Sequence, residues 1–449
     1  MAKVRFNVNC HNTLQLIYYF MHNSIFSVPS FLPSSNIYAV NIRQYTTEGT
    51  FVAFANHLPR LKSMGVQILW FMPIYPIGKL NRKGSLGSYY SIQNFETVNP
   101  EFGTKDDFLQ LVKTAHSLGF KIILDWVANH AAWDNVWAIS NPNYFIKDDN
   151  NNFVSPYDWT DVIQINHKNI DQQQAMMQAM QYWVLNFGID GFRADLAHLT
   201  PLQFWIDARR TLAAVKNDLI WLAETEEINY HQAFDISFTW QWMHAIEEFV
   251  KKQKSLYDCV NILKANKNNF PANALRMFFT SNHDENSWSG TEYEKYGIFA
   301  KALAVFSCTY LSVPLIYSGQ ELPNTKRLQF FEKDTIAWNE NIELFDFYKT
   351  LYALRQRNNK IYNSTNTSIH FFENYLHKNI FIFQLKNEKC EIVVFLNFND
   401  SYISENIEIN VFETVYKNLF SDKFEIVDTH YSLGLEAASY CVLEKINTT

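Results

Sequence analysis

The sequence predicts an α/β fold in which a closed (β/α)8 barrel carries a short inserted segment and is followed by an antiparallel β-sandwich. Short apolar runs alternate with amphipathic helical stretches from Ile37 to Asn358, and this alternation is typical of parallel βα units. The segment 131–168, rich in Asn, Asp, Trp and Tyr, interrupts the alternation. After Asn359 the pattern changes to short strands separated by polar turns.

Local signals support the individual barrel elements. Thr104 fits an N-cap, and Gly65 and Gly119 follow predicted helices as stops. No GxGxxG motif follows an early strand, which disfavours the alternative of a doubly wound dinucleotide-binding sheet. The predicted strands are Ile37–Ile42, Val66–Met72, Lys121–Trp126, Ile189–Ala194, Leu219–Ala223, Met277–Thr280 and Pro314–Tyr317. The predicted helices are Thr50–Met64, Lys105–Leu118, Gln172–Phe187, Leu202–Val215, Trp240–Lys252, Tyr293–Thr309 and Leu344–Asn358.

These patterns divide the chain into three parts. We predict an N-terminal extension over residues 1–33, a barrel domain over 34–362 with an inserted domain at 131–168, and a C-terminal β-sandwich domain over 363–449. The predicted strands of the last part are Ile369–Phe372, Ile380–Leu385, Glu391–Asn397, Ile407–Val411 and Ser439–Leu443.

The composition argues against several classes of protein. The 449 residues include 38 Lys+Arg and 45 Asp+Glu, a net charge of −7 without a basic run, so we expect no nucleic-acid partner. The 5 cysteines include no CxxC pair, which argues against a zinc site or a disulfide framework. The apolar stretches Leu14–Phe20 and Ala302–Gln320 are too short or too interrupted to span a membrane. No signal-peptide cleavage site follows Leu14–Phe20, so we expect a cytoplasmic protein, and its oligomeric state stays open.

Acidic residues recur at the ends of the predicted strands. Asp125, Asp195 and Glu224 end or directly follow a strand, and Asp284 lies just past another. The spacing of 29 residues (224 − 195) matches one βα unit, and that of 60 (284 − 224) matches two. A single acid would more often be a helix N-cap, but the carboxyl ends of barrel strands share one face, so we expect these acids to converge. Glycoside hydrolysis requires such carboxyl groups, one nucleophilic and one proton-donating.

Basic side chains accompany these acids. Arg193 precedes Asp195 by two residues, so both side chains project to the same side of the strand. We expect this guanidinium to hold the pKa of Asp195 low and to keep the carboxylate ionised. His283 directly precedes Asp284, and His130 follows the third predicted strand. Both histidines are candidates for binding substrate hydroxyls.

Six segments carry a resemblance to a known family. They are Gly87–Tyr90 with Asn99–Thr104, Asp125–His130 (D-x-V-x-N-H), Gly191–Asp195 (G-F-R-x-D), Trp221–Glu224, Phe279–Asp284 (F-x-x-N-H-D) and Tyr317–Glu321. In these segments the sequence resembles the α-amylase superfamily, glycoside hydrolase family 13. Each segment alone is a weak signal, but together they follow the family's order between Ile37 and Glu321.

The resemblance implies a role for each site residue. Asp195 would be the nucleophile, Glu224 the general acid/base, and Asp284 the residue that holds the distorted sugar. Because Glu224 ends an apolar strand beside other carboxylates, we expect its pKa to be raised. The family further implies α-glucan substrates, retention of configuration, and a TIM barrel with an inserted B domain and a C domain. The residues implied to line the glucose subsite are Tyr90, whose ring would stack on the sugar, Asp125, His130, Arg193 and His283.

Two departures from the family pattern change the expected contacts. A Lys-His pair often follows the nucleophile at the third and fourth positions, but this chain has His198 and Leu199 there, so we expect His198 to make altered contacts on the leaving-group side. An Asp that often binds calcium is replaced by the neutral Gln164. Calcium prefers several oxygen ligands with carboxylate charge, so we expect no cofactor and no bound metal, although Asn129 could still coordinate calcium.

The residues and the resemblance together predict a retaining α-glucan hydrolase. It would cleave α-1,4-glucosidic bonds of starch, glycogen or maltooligosaccharides through a covalent glycosyl-enzyme intermediate. A transglycosylase of the same superfamily would use the same intermediate, and the sequence does not separate the two. A non-catalytic carbohydrate-binding relative is a third alternative, which the intact set of Asp195, Glu224 and Asp284 disfavours.

Overall fold

The computed structural model describes residues 26–409 and 414–446, and its core is a closed barrel of eight parallel strands. Ile37 of the first strand aligns with Ile68 on one side and with Leu315 on the other, which closes the sheet. In chain order the strands are β1 (Ile37–Val40), β2 (Ile68–Phe71), β3 (Lys121–Trp126), β4 (His130–Ala132), β5 (Val162–Gln164), β6 (Gly191–Ala194), β7 (Ile220–Ala223), β8 (Ile236–Ser237), β9 (Leu275–Phe278) and β10 (Val313–Tyr317). The barrel order is β1-β2-β3-β6-β7-β8-β9-β10, and β4 pairs with β5 inside the inserted segment.

Helices follow most of the barrel strands. Thr104 caps the helix between β2 and β3 through a reciprocal capping box with Asp107. The prediction of one helix over Thr50–Met64 is wrong: two shorter helices occur there, because Pro59 lacks an N–H and would clash with the preceding turn of a continuous helix. The helices are α1 (Ile42–Tyr45), α2 (Phe51–Ala55), α3 (Leu58–Met64), α4 (Lys105–Ser117), α5 (Val136–Ser140), α6 (Ile170–Phe187), α7 (Leu202–Ala213), α8 (Trp240–Val250), α9 (Leu256–Asn269), α10 (Glu292–Tyr296), α11 (Ala300–Thr309), α12 (Phe345–Arg357) and α13 (Asn359–Tyr362).

The barrel also differs from the predicted pattern on the side of β8. Both β8 and α9 are absent from the prediction, and β8 has only two residues, too few for a strand periodicity to show. The predicted helix Tyr293–Thr309 is interrupted after Tyr296, because Gly297 adopts a φ of +55° that ends α10. The eighth βα unit is therefore present, although the sequence pattern showed only seven.

One buried arginine forms hydrogen bonds at the amino-terminal end of the barrel strands, opposite the end that carries the acids. Arg355 of α12 has no exposed surface. Its guanidinium donates to the backbone carbonyls of Pro33, Cys308, Tyr310 and Ser312 at 2.5–3.2 Å. Because these carbonyls precede β1 and β10, the side chain ties together the two strands whose pairing closes the barrel.

The C-terminal part consists of two antiparallel sheets that share a buried apolar cluster, which includes Ile382, Phe395 and Leu433. The strands are β11 (Ser368–Phe371), β12 (Ile380–Lys386), β13 (Glu391–Asn397), β14 (Ile403–Glu408), β15 (Thr414–Asn418), β16 (Phe424–Val427), β17 (His430–Leu435) and β18 (Tyr440–Lys445). One sheet has the order β11-β12-β13-β18-β15-β16, and the other pairs β14 with β17. The predicted strand Ile407–Val411 is wrong in its bounds, since β14 ends at Glu408 and Val411 lies outside the described residues.

The two apolar stretches singled out in the sequence have different outcomes. Leu14–Phe20 and most of the predicted N-terminal extension lie outside the described residues, which begin at Phe26. Ala302–Gln320 forms most of α11 and all of β10, a buried helix that leads into a buried strand, as predicted. Among the helices of residues 26–409 and 414–446, none combines the length and the apolar character needed to cross a membrane.

Candidate active site

The strand-end acids lie together at the carboxyl ends of the barrel strands. Asp125 belongs to β3, while Asp195 and Glu224 directly follow β6 and β7. Asp284 lies in the loop after β9, at the start of a single π-helical turn. Arg193 is in register with Asp125 across the β3–β6 ladder, so the strand pairing itself places the arginine among the acids. The convergence expected from the spacing is thus present.

A single guanidinium lies at the centre of these acids. Arg193 is fully buried, and its Nη1 donates to Oδ1 of Asp125 at 2.8 Å and to Oδ1 of Asp195 at 3.1 Å. Its Nη2 lies 2.6 Å from Oε2 of Glu224, an ion pair whose angle departs from hydrogen-bond geometry. One positive charge therefore faces three carboxyl groups that are almost fully buried. Ionisation of all three is disfavoured, and the site retains a proton.

Asp125 is the most enclosed acid of the site. Its Oδ2 accepts hydrogen bonds from Nε1 of Trp70 and from the hydroxyl of Tyr90, both at 3.0 Å. Burial raises the pKa of Asp125 to about 7, although the charge of Arg193 opposes this effect. These contacts hold the indole of Trp70 and the guanidinium of Arg193 in fixed positions behind the cavity, and they fix the phenol of Tyr90 at the cavity wall.

The pKa of Asp195 differs from the expectation. Its Oδ2 accepts a hydrogen bond from Nδ2 of Asn129 at 3.1 Å, and Arg193 contacts the other oxygen. Both contacts favour the anion, but burial outweighs them and raises the pKa of Asp195 above its ordinary value. The prediction of a lowered pKa is wrong because the Arg193 charge is shared among three carboxyl groups and because the strand end is more deeply buried than the sequence indicates.

Glu224 has the environment expected of a proton donor. Its Oε2 accepts a hydrogen bond from the backbone N–H of Leu196 at 2.9 Å. Burial raises the pKa of Glu224, and the neighbouring Asp195 adds to this effect. Glu226, two residues further on, points elsewhere and pairs with Arg276 at 2.7 Å. The structure therefore places Glu224, and not Glu226, among the acids.

Asp284 and His283 form the side of the site that follows β9. Nε2 of His283 lies 3.2 Å from Oδ2 of Asp284 and 2.7 Å from the hydroxyl of Tyr90. Burial holds the pKa of His283 well below its ordinary value, so the imidazole is neutral at pH 7. Enclosure raises the pKa of Asp284, and the nearby Glu224 adds to the effect. The Asp284 side chain keeps 36% of its surface exposed.

Tyr90 contributes more than an aromatic face. Its ring lies nearly parallel to His283, with centroids 5.5 Å apart, and also packs along Phe330. Its hydroxyl joins Asp125 and His283 at 3.0 and 2.7 Å. The predicted stacking of this ring on a sugar stays a prediction, but the hydroxyl is an integral part of the polar network, which the sequence argument did not anticipate.

The two remaining histidines occupy different positions. His130 is buried, and its Nδ1 forms a hydrogen bond with Oδ1 of Asn129. Burial lowers the pKa of His130 to about 4, so the ring is neutral at pH 7. His198 is exposed on the short turn Ala197–Leu199. This turn directly follows Leu196, whose backbone N–H contacts Glu224. His198 is not among the residues that line the cavity.

The acids open into a cavity of about 380 Å³. Asp125, Arg193 and His283 lie behind its wall and support the residues that face it. The aromatic residues Trp159, Trp288, Phe330 and Phe331 and the ion pair of Lys83 with Asp161 were not predicted from the sequence, because loops carry no periodicity that would place a side chain. The lining residues are Lys83, Ser88, Tyr90, His130, Trp159, Asp161, Val162, Asp195, Leu196, Glu224, Asp284, Trp288, Phe330 and Phe331.

The candidate calcium ligand is engaged in the site itself. The amide nitrogen of Asn129 donates to Asp195 and its oxygen faces Nδ1 of His130, so both ends of the side chain are committed. Gln164 pairs with His130 across the β4–β5 ladder and brings no charge. Within the described parts of the chain, no group of three or more His, Cys, Asp or Glu side chains is arranged to hold a metal ion. These residues do not fit the calcium site that the family often carries, and the expectation of no cofactor and no bound metal stays a prediction.

Paired acids at the carboxyl face of a closed parallel barrel meet the requirement of a glycoside hydrolase for two carboxyl groups in one site. Comparison with known families gives the specific assignment. Residues 29–162 and 144–350 match the alpha-amylase family, described as the alpha amylase catalytic domain, and the chain therefore belongs to this family of glycoside hydrolases.

Individual relatives agree with the assignment. The chain is 25% identical over 415 residues to alpha-amylase 2 of Dictyoglomus thermophilum, covering 86% of this chain and 69% of that protein. Its fold is similar to the crystal structure of an alpha-amylase from Lactobacillus plantarum, with a TM-score of 0.84 and 26% identity over 93% of this chain and 100% of the other. A noncanonic maltogenic alpha-amylase from Thermotoga neapolitana is 29% identical, with the same TM-score and the same coverage.

Proposed function

We propose that the protein is a retaining α-glucan hydrolase that cleaves α-1,4-glucosidic bonds of starch, glycogen or maltooligosaccharides. The observation that carries this proposal is the arrangement of Asp195 and Glu224 around Arg193 at the wall of one cavity. A retaining glycosidase requires two such carboxyl groups, one that attacks and one that donates a proton.

In the proposed first step, an oxygen of Asp195 attacks the anomeric carbon while the bond to the leaving oxygen breaks. Glu224 gives its proton to that oxygen, which leaves a glycosyl ester on Asp195 and a carboxylate on Glu224. In the second step Glu224 takes a proton from water, and the resulting hydroxide attacks the same carbon. The ester bond breaks, Asp195 is released as an anion, and the product keeps the α configuration.

The hydrogen bonds support this division of roles between the two acids. Asp195 receives two aligned side-chain donors, Nη1 of Arg193 and Nδ2 of Asn129. Glu224 receives one aligned donor, a backbone N–H, and an ion pair outside hydrogen-bond geometry. The anion is thus better stabilised on Asp195, and the proton that the crowded site retains is better placed on Glu224.

Asp284 has the position expected of a residue that holds the sugar. Its carboxyl group faces the cavity and is fixed by His283, whose neutral ring also meets the hydroxyl of Tyr90. A sugar between Asp284 and Tyr90 would meet polar groups from two sides. We propose that this pair binds the donor glucosyl residue, while the exposed His198 contacts the leaving part of the glucan.

The direct test is product analysis with maltoheptaose, pullulan and β-cyclodextrin as substrates. We expect shorter α-maltooligosaccharides from maltoheptaose, with the α anomer formed first in a proton NMR time course. Products longer than maltoheptaose would instead indicate the transglycosylase alternative. Binding without any product from all three substrates would indicate a non-catalytic relative.

We also propose that the protein works without calcium in a reducing, cytoplasmic compartment. The independence from calcium is supported by Asn129, whose side chain is already hydrogen-bonded to Asp195 and His130, and by Gln164, which carries no charge. The reducing compartment is supported by the described cysteines, Cys259, Cys308, Cys390 and Cys441, which are all free thiols.

A further inference from the structure

Three loops join into a continuous wall along one side of the cavity. Lys83, in the loop after β2, forms an ion pair of 3.0 Å with Asp161 of the inserted segment. The same loop contacts the loop after β10, where the backbone N–H of Ser85 donates to Glu332 at 2.9 Å and that of Leu86 donates to the carbonyl of Phe331 at 3.1 Å. Lys83, Asp161 and Phe331 all face the cavity. We call this set of contacts the end wall.

The end wall stands across the barrel from Glu224. In an eight-stranded closed sheet, the strand opposite β7 is β1. Lys83 and Phe331 lie in the loops that follow β2 and β10, the two neighbours of β1, so these loops start opposite the end of β7, and both residues line the same cavity as Glu224. Because Glu224 protonates the leaving oxygen, the leaving part of the glucan extends over the β7 side. The end wall therefore lies on the side where the non-reducing end of the bound glucan would continue.

The space in front of the end wall is small. A glucosyl residue has eleven non-hydrogen atoms and occupies roughly 150–200 Å³ at ordinary packing density. The cavity of about 380 Å³ thus has room for about two glucosyl residues. Asp161 is nearly buried, whereas Lys83 is partly exposed, so the pair offers an acceptor and donors to a terminal sugar hydroxyl.

We propose that the Lys83–Asp161 ion pair closes the donor side of the cavity and makes the protein specific for free non-reducing ends of short maltooligosaccharides. This proposal rests on the proposed hydrolase function and extends it to the substrate class. Because the whole cavity, which also borders Glu224 and Leu196, has room for about two glucosyl residues, we expect no more than two between the end wall and the bond that is cleaved. A chain that continues beyond the wall is excluded by the loops themselves.

The experiment compares two chromogenic substrates, p-nitrophenyl maltoheptaoside with a free non-reducing end and the same compound with an ethylidene group on that end. We expect the wild-type protein to cleave the free substrate at least about tenfold faster than the blocked one, as for a pocket that rejects an added group. Chromatography of the p-nitrophenyl products shows which bond is cut. Lys83→Ala and Asp161→Asn should each raise the blocked-to-free rate ratio, whereas Lys83→Arg should keep it low.

A matched control removes a similar ion pair far from the cavity. Lys378 pairs with Glu405 at 2.8 Å in the C-terminal part, and Lys378→Ala should leave the blocked-to-free ratio unchanged. Equal cleavage of both substrates by the wild type, or an unchanged ratio in both Lys83→Ala and Asp161→Asn, would overturn the end-wall proposal and leave the hydrolase function standing. Failure to cleave either substrate would overturn the hydrolase function, and the end-wall proposal with it.

Discussion

The backbone N–H of Leu196, the residue after Asp195, donates to Oε2 of Glu224 at 2.9 Å. Leu196 has φ +38° and ψ 54°, a left-handed conformation that costs a leucine roughly 1–2 kcal/mol. Strained backbone of this kind persists where surrounding contacts hold it in place. The strain turns the chain sharply after β6, so that one side of the turn presents the proposed nucleophile and the other fixes the proposed acid.

Substitution of the two acids should separate the two chemical steps. Asp195→Asn should abolish turnover of every substrate, because an amide cannot form the glycosyl ester. Glu224→Gln should lose nearly all activity on glucans yet retain a measurable first step on α-glucosyl fluoride, whose leaving group needs little protonation. Glu226→Gln serves as the control, since Glu226 pairs with Arg276 outside the cavity. An inactive Glu226→Gln beside an active Glu224→Gln would contradict the assignment.

The pH profile should be bell-shaped, with an acidic limb above the ordinary range of aspartate. Asp195 must be ionised to attack, and burial raises its pKa, so activity falls as the pH drops through that raised value. Asn129→Ala removes a donor that stabilises the anion, which raises the pKa of Asp195 further. The acidic limb of kcat/KM should then move to higher pH while the basic limb, assigned to Glu224, moves less. An acidic limb that stays in place would argue against Asp195 as its origin.

Removal of the Tyr90 hydroxyl should reduce activity even though the ring remains. Tyr90→Phe removes one of the hydrogen-bond donors to Oδ2 of Asp125 in a buried site. A missing partner of this kind costs about 1–3 kcal/mol of interaction free energy. We expect a drop in kcat/KM of roughly tenfold to a hundredfold for this variant, and a larger drop for Tyr90→Ala, which also loses the aromatic face. Wild-type kinetics in Tyr90→Phe would assign the role to the ring alone.

Chelation should not inactivate the protein. Because Asn129 is engaged with Asp195 and His130, and Gln164 carries no charge, activity on maltoheptaose should persist after dialysis against EDTA. The unfolding temperature should also be the same with EDTA and with added calcium. A loss of activity that calcium alone restores would contradict this expectation.

Arg355 provides a test of stability away from the site. Arg355→Met removes the guanidinium donor from four backbone carbonyls, three of them in buried hydrogen bonds, and among the described residues only that of Tyr310 keeps a second donor, the hydroxyl of Ser312. We expect a loss of about 2–4 kcal/mol in the free energy of unfolding. Arg210→Met is a matched control, because Arg210 makes a largely exposed ion pair with Asp207 and should cost less than about 0.5 kcal/mol. Urea denaturation of both variants checks the difference, and equal losses would contradict the proposed role of Arg355.

The sequence predicted the position of a site residue correctly where that residue lies at the end of a strand. Asp125, Asp195 and Glu224 sit at strand ends, and parallel pairing brings such ends to one face, so their convergence could be predicted. Lys83 and Asp161 are 78 positions apart (161 − 83) in two loops, and their contact depends on how those loops pack. The pKa of Asp195 depends on burial depth and on how Arg193 is shared, neither of which a linear pattern contains.

The end wall also has a consequence for the order in which products depart. If Lys83 and Asp161 close one side of the cavity as proposed, the glycosyl part held on Asp195 would be enclosed, and the cut chain would lie on the side of Glu224. The cut chain leaves first, water then enters behind it, and the small sugar escapes last through the same opening. Each turnover thus begins from a newly captured chain end, and accumulation of the small sugar competes with that capture.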